Sequence, residues 1–175
     1  IHDRKRYRLW YEIMTPEGSD VLCYAESENG FAWQKPCLGF MQYKGEDTNI
    51  VFGGGLSPQT GFHGAGVFLD SSHRGDERYK MVFVGREGVY GAVSPDGLYW
   101  TGVPEPLMML SSDTQNSACY DEPLNLYVGF FRMWRRGRRC IGRAETTEFR
   151  RWPMATPVIW PGPEDAPSVD WYTNA

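Results

Sequence analysis

Apolar residues along this chain fall into short runs of four to six positions that are separated by polar turns. Three of the runs begin with tyrosine and are rich in aromatic or aliphatic residues, namely YRLWY (7–11), YKMVF (79–83) and YVGFF (127–131). The segments between runs, such as SSHRGDE, GREG and SPDG, contain the residues that favour turns. No stretch of useful length repeats its apolar residues with the 3.6-residue period of a helix. The pattern therefore predicts an all-β protein built from short strands.

A second phrase follows the tyrosine runs. It appears as CYAESENGFAW (23–33), YGAVSPDGLYW (90–100) and, more weakly, IGRAETTEFRRW (141–152). All three fit the pattern Ala-x-[Ser/Thr]-x5-Trp, and Phe149 replaces the glycine of the other two copies. We predict that Ser94 or Asp96 accepts hydrogen bonds within the turn, that Gly97 adopts positive φ, and that the tryptophan packs between neighbouring units.

A third phrase precedes the second and third tyrosine runs. FHGAGVFLD (62–70) and DTQNSACYD (113–121) are both nine residues long and end in aspartate, and DWYTNA (170–175) is a fragment of the same phrase. Each full unit then holds four strands, which in the second unit are 66–69, 79–84, 89–94 and one near 107–110. Repeating four-stranded antiparallel units are typical of β-propeller blades. A β-sandwich is the alternative, but it does not require strands in sets of four.

The predicted fold class is therefore an all-β partial propeller of about three blades, or a piece of a five-bladed propeller. Residues 1–52 would supply strands two to four of one blade, 62–110 and 113–160 two full blades, and 168–175 the innermost strand of the next. Complete propellers have at least four blades. Either the segment belongs to a longer chain, or copies associate into a homo-oligomer through their incomplete blades.

Composition narrows the choice of partners. The net charge of −4 does not favour nucleic acid, and no apolar run is long enough to span a membrane. The basic run RMWRRGRR (132–139) is interpreted as a solvated hairpin tip. The four cysteines and three histidines show no metal-binding spacing, so neither a metal nor a cofactor is predicted. The compartment is not fixed, although a secreted or periplasmic location is slightly favoured.

Propellers bind ligands on the axis, where the innermost strands begin, and this rule selects the candidate site residues. The second strand of each blade ends near the same face, which adds Arg132 and makes Glu12 and Arg86 further candidates; Asn49 lies on the approach to the second blade. The strand starts supply His63, Asp113, Gln115, Asn116, Asp170, Trp171 and Tyr172.

Two aspartates carry the predicted chemistry. Asp113 and Asp170 begin adjacent innermost strands, and paired carboxylates are what glycoside hydrolysis requires. The binding residues divide by type: His63, Gln115, Asn116, Arg132 and Asn49 offer polar contacts, whereas Trp171 and Tyr172 offer flat faces to a sugar ring. A structural alternative stays open for two of them, since Asp113 can cap a turn and Asn116 can satisfy backbone groups where blades meet.

The stretch YAESENGFAWQKPCLGFMQYKGEDTNIVF (24–52) resembles the S-x-D-G-x-x-W-x-K-P…G…N-N-I-V segment of bacterial five-bladed propellers. These are the arabinanase/β-xylosidase and invertase/levanase groups of glycoside hydrolases and their relatives, and the next two units look like their following blades. The resemblance implies a funnel-shaped site with three acids, of which Asp113 and Asp170 would be two. His63 stands where the second blade of the family carries an acid.

The expected function is therefore that of a glycoside hydrolase-like propeller that acts on or binds a poly- or oligosaccharide. The alternative is a non-catalytic carbohydrate-binding or self-assembling scaffold.

Overall fold

A computed structural model describes residues 1–53, 61–113 and 116–171. These residues form strands, turns and coil, and none of them forms a helix. A membrane-spanning helix is accordingly not found among them. The all-β class predicted from the sequence is confirmed, and the sheets are the four-stranded antiparallel sheets of a partial propeller.

The first blade has the strand order β1-β2-β3-β6. A small β4–β5 hairpin lies in the connection between its third and fourth strands. The two-residue strand β1 occupies the innermost position, which the sequence had predicted to be missing from this blade. The strands are β1 (His2–Asp3), β2 (Arg6–Met14), β3 (Asp20–Ser27), β4 (Gln42–Tyr43), β5 (Glu46–Asp47) and β6 (Ile50–Gly53).

The second blade runs β7-β8-β9-β10, comprising β7 (His63–Leu69), β8 (Tyr79–Val84), β9 (Val89–Ser94) and β10 (Thr101–Gly102). The fourth strand lies earlier in the chain than the predicted 107–110. Met108 still forms an isolated bridge with Val89. Leu107 and Leu110 are buried in the core between the second and third blades, so burial rather than pairing explains their apolar character.

The third blade runs β11-β12-β13-β14, comprising β11 (Ser117–Asp121), β12 (Leu126–Arg135), β13 (Arg138–Thr146) and β14 (Thr156–Ile159). Beyond it, residues 168–171 form no strand. Residues 172–175 lie outside the described part of the chain. The innermost strand predicted at 168–175 therefore stays a prediction.

Aspartate and tyrosine residues at one end of the blades join each blade to the next. Tyr79 and Tyr127 occupy equivalent positions in their second strands, because they pair with Leu69 and Tyr120 in the register of the innermost strand. The Tyr79 hydroxyl donates to Asp3 of the preceding blade. The Tyr127 hydroxyl donates to Asp70 of the preceding blade at 2.6 Å. These contacts fix how the blades pack at the end opposite to the candidate site.

The SPDG turn (94–97) forms another contact between the first blade and the second. The Ser94 hydroxyl oxygen accepts the Gly97 N–H at 2.8 Å, and Asp96 Oδ1 accepts the Leu98 N–H at 2.9 Å. The indole of Trp10 donates to the Gly97 carbonyl at 2.7 Å. In the third blade the equivalent residue, Phe149, is itself buried in the core between the second and third blades.

Gly97→Ala is expected to destabilise the protein by roughly 2–4 kcal/mol, from positive-φ strain plus overpacking. Gly97 has φ +78°, and an added Cβ would lie 2.5 Å from Cζ2 of Trp10. Gly18→Ala is the matched control, because Gly18 has φ +81° but no atom within 4 Å of such a Cβ. Urea unfolding should show a clearly larger loss for Gly97→Ala, and equal losses would contradict the packing argument.

Candidate functional site

Two carboxylates of the first blade lie on one face of the β2–β3 hairpin. The end of β2 and the start of β3 lie at the same end of the hairpin because the two strands are antiparallel. Glu12 pairs with Leu22, which lies two residues after Asp20, so Glu12 and Asp20 are diagonal neighbours on the same face. That face packs against the first strand of the second blade, where His63 begins β7.

His63 contacts both of these carboxylates. Its Nδ1 atom lies 2.5 Å from Glu12 Oε1 and 3.1 Å from Asp20 Oδ2. Glu12 Oε2 accepts the backbone N–H of Gly64 at 2.6 Å. A β-bulge between His63 and Gly66, with Gly64 at φ +65°, turns the start of β7 toward the first blade. Glu12 thus holds both the imidazole and the backbone of this bulge.

The third blade adds Asp113 from the loop before β11. Asp113 Oδ1 lies 3.6 Å from His63 Nε2, and the guanidinium of Arg132 donates to the other carboxylate oxygen of Asp113. We name Glu12, Asp20, His63 and Asp113 the histidine–carboxylate cluster. It joins side chains from all three blades around one imidazole ring.

Asn116 positions this loop. It is 3% exposed, and its side-chain oxygen accepts the Arg132 N–H at 3.0 Å and the Ser112 hydroxyl at 2.9 Å. Its amide donates to the Asp113 carbonyl at 2.9 Å. The structural role that the sequence left open for Asn116 therefore matches its contacts, and Asn116 sets the place of Asp113.

Exposure divides the cluster into two layers. The side chains of His63 and Asp113 are 38% and 43% exposed, against 21% for Glu12 and 20% for Asp20. Ionised carboxylate oxygens only accept hydrogen bonds, so we assign a proton to His63 Nδ1. The imidazole is then held from behind by Glu12 and Asp20, with Nε2 facing Asp113 and solvent.

Glu12, Asp20 and His63 also have the spacing of a metal site, since each offers a ligand atom and these atoms lie within 4.8 Å of one another. We interpret the approach of Nδ1 to Oε1 as a hydrogen bond that the imidazole donates to the carboxylate. The same three side chains thus form a hydrogen-bonded group in this structure.

Asp170 is bound by Arg139 through both of its carboxylate oxygens. The backbone N–H of Arg139 donates to Oδ1 at 2.8 Å and its guanidinium to Oδ2 at 2.6 Å. These bonds, the backbone one foremost, lower the pKa of Asp170. The guanidinium carbons of Arg139 and Arg132 lie 4.7 and 5.9 Å from the ring centre of Trp134. Asp113 and Asp170 therefore each bind a different arginine of the third blade.

The other predicted residues are less connected to the cluster. The amide of Asn49 donates to the Tyr11 hydroxyl at 2.8 Å and to the Tyr24 carbonyl at 2.7 Å, which are contacts within the first blade. Trp171 is 40% exposed, and its N–H donates to the Arg139 carbonyl. Gln115 and Tyr172 lie outside the described residues.

Sequence reasoning missed Asp20. The signal was present in the TPEGSD turn (15–20), because the first residue after a tight hairpin turn returns to the edge where the preceding strand ended. Candidate residues were sought only where the first strand of a blade begins and where the second strand ends. Asp20 lies where a third strand begins, and so it was not considered.

The architecture around the cluster is that of the five-bladed propeller glycoside hydrolases, and the resemblance predicted from the sequence is confirmed at the level of the fold. No protein-family model matches the sequence, and no match is found among curated proteins.

Solved structures do match. The Bombyx mori GH32 β-fructofuranosidase BmSUC1 has a TM-score of 0.63 at 12% identity, with 85% of this chain and 32% of that chain covered. A candidate glycosidase from Bacteroides thetaiotaomicron has a TM-score of 0.63 at 13% identity, covering 94% and 53%. A candidate glycoside hydrolase from Parabacteroides distasonis has a TM-score of 0.60 at 15% identity, also covering 94% and 53%. This chain therefore spans between about a third and about half of the length of these structures.

Proposed function

We propose that this chain is part of a glycoside hydrolase-like propeller and that a saccharide binds at the histidine–carboxylate cluster. The observation that carries the proposal is the convergence of side chains from three blades on His63 at the ends of the blades where the innermost strands begin. The likeness of the fold to glycosidase structures supports a carbohydrate ligand.

In this proposal Asp113 is the first catalytic carboxylate, since it is the most exposed acid of the cluster. Glycoside hydrolysis needs a second carboxyl group to complete the acid–base or nucleophilic pair. We rank Asp20 before Asp170 for this role. Both oxygens of Asp170 are bonded to Arg139, whereas Oδ2 of Asp20 lies 3.1 Å from His63 Nδ1.

His63 is proposed to bind the substrate, and Glu12 is proposed to hold the imidazole of His63 in position. An imidazole that donates its Nδ1 proton to a carboxylate presents Nε2 in a fixed orientation to a sugar hydroxyl or to a proton in transfer. Arg132 is proposed to orient the carboxylate of Asp113.

A second candidate is saccharide binding without hydrolysis. It is favoured by the partners of the acids, because Glu12 accepts from His63 and Gly64 while Asp113 accepts from Arg132. Acids bound in this way are also suited to a purely structural or binding role.

The two candidates are separated by assaying a panel of aryl glycosides together with calorimetry of oligosaccharide binding. Both assays should be run on this chain and on any longer protein that contains it. Hydrolysis of at least one glycoside supports the enzyme, and binding without hydrolysis supports the second candidate. The absence of both from every form tested would overturn the proposal.

A further inference from the structure

A cavity of about 420 Å³ lies at the tip of the β12–β13 hairpin. Arg135, Arg136 and Arg138 of the hairpin line it together with Trp160 and residues 161–163 of the loop that follows β14. Its volume is within the range of small-ligand sites, roughly 300–1,000 Å³. The sequence predicted only a solvated hairpin tip here, so the cavity requires its own explanation.

The cavity is lined by positive charge, whereas the chain as a whole is acidic. The whole chain has a net charge of −4. Arg132 and Arg139, in the same run, pair with Asp113 and Asp170. By contrast, within the described part of the chain no carboxylate oxygen lies within 4 Å of the three cavity arginines, and Arg138 acts on Asp170 only over a longer distance, as one of the charges that lower its pKa. A bound anion would balance this positive charge.

The part of the lining that contains Trp160 is apolar and preorganised. The guanidinium of Arg135 lies 3.9 Å from the ring centre of Trp160, which is a close stacking contact. Stacking holds the planar guanidinium in one orientation, and so less entropy is lost when it binds a carboxylate. Trp160 is 43% exposed, and Pro161 and Pro163 add rigid apolar surface beside it.

The loop that forms this wall is held in place by hydrogen bonds. The guanidinium of Arg138 donates to the carbonyls of Ala166 at 2.7 Å and Val169 at 3.1 Å. The Gly162 N–H donates to Asp165 Oδ2 at 2.7 Å, so that carboxylate closes a turn and does not line the cavity. The shape of the cavity is therefore maintained by hydrogen bonds within the protein.

We propose that this cavity binds the carboxylate of an acidic sugar residue, a uronosyl unit of a saccharide. Guanidinium groups recognise carboxylates bidentately, and an indole with flanking prolines provides the flat surface on which a pyranose ring can lie. Arg135 follows Arg132 by three residues, roughly 10 Å along a strand. Because this spacing is odd, the two side chains leave opposite faces of β12, and the cavity is a separate surface from the histidine–carboxylate cluster. This inference rests on the proposed function only in taking the ligand to be a saccharide.

Calorimetry with three probes tests the inference: trigalacturonate, its neutral counterpart galactotriose, and sulfated galactotriose. We expect the wild type to bind trigalacturonate at least about tenfold more tightly than galactotriose. The combined Arg135→Gln and Arg136→Gln variant should lose this preference. Arg74→Gln, which removes an exposed arginine from the β7–β8 connection, should keep it.

Equal affinity for the acidic and neutral probes, or a preference that persists in the double variant, would overturn the inference. Tighter binding of the sulfated probe would overturn the assignment to a carboxylate. The two proposals fail separately. Hydrolysis of neutral glycosides without a uronate preference would remove this inference alone, whereas a uronate preference without hydrolysis would leave it standing while the enzymatic proposal fails.

Discussion

Replacing Lys80 by alanine is expected to lower the free energy of unfolding by about 3–5 kcal/mol. The side chains of Lys80 and Asp70 are fully buried, and Nζ of Lys80 lies 2.7 Å from Oδ2 of Asp70. The same carboxylate accepts the hydroxyl of Tyr127 from the third blade. Removing the ammonium group would leave a buried carboxylate without its counter-charge at a contact between blades. Urea unfolding followed by tryptophan fluorescence measures the loss.

Arg150→Ala is the matched control, because it also removes the basic partner of an ion pair, but this pair lies on the surface. Arg150 and Glu77 are 2.6 Å apart, and their side chains are 49% and 28% exposed. Such a pair contributes about 0–1 kcal/mol. A loss for Lys80→Ala no greater than that for Arg150→Ala would contradict the importance of the buried pair.

Acid should weaken the same contact. Burial raises the pKa of Asp70, but hydrogen bonds from Lys80, Ser72 and Tyr127 outweigh it and lower the pKa to about 2, from an ordinary value of 3.8. The ionised group therefore contributes stability that is present above the ordinary value and is lost as the pH falls toward 2. Asp70→Asn should show a smaller change in unfolding free energy across this pH interval than the wild type.

Asp113→Asn is expected to lower hydrolysis of a responsive glycoside by about 10²–10⁴-fold, the usual contribution of an acid–base group. The variant keeps the shape of the side chain but removes the charge that faces His63 and Arg132. Steady-state kinetics give kcat and KM, and the loss should appear mainly in kcat if Asp113 acts in the chemical step.

Asp121→Asn controls for this substitution. Asp121 ends the innermost strand of the same blade, at the opposite end from the loop that carries Asp113. Its Oδ1 accepts the Leu124 N–H within a turn. Full activity in Asp121→Asn with a large loss in Asp113→Asn supports the proposed role. Equal kcat values in the two variants would remove Asp113 from the chemistry. Thermal unfolding of both variants shows whether a change in folding contributes.

The strands were predictable where local signals bounded them. The strands β8 and β9 match their predicted limits because each lies between turn-forming segments. The fourth strand of that blade was placed too late, since Leu107, Met108 and Leu110 are buried in the core without forming a regular strand there. Apolar character alone does not distinguish a paired residue from a buried one.

The site was less predictable, because it depends on contacts between blades. The register placed His63 and Asp113 at the same end of the blades, and there the two side chains lie 3.6 Å apart. It could not show that Asp170 is bound to Arg139, since that contact joins segments 31 residues apart without a local pattern. The reach of Asp20 to His63 likewise depends on how the second blade packs against the first.

The central claim is that a saccharide binds at the histidine–carboxylate cluster, and the imidazole NMR signals of the three histidines test it directly. His63 lies in the cluster, whereas His73 contacts Asp70 at the other end of the blades and His2 packs on Tyr7. Titration with an oligosaccharide that binds the protein should shift the His63 signals and leave those of His73 and His2 unchanged. Shifts confined to His73 or His2, or none at His63 under saturating ligand, would contradict the claim.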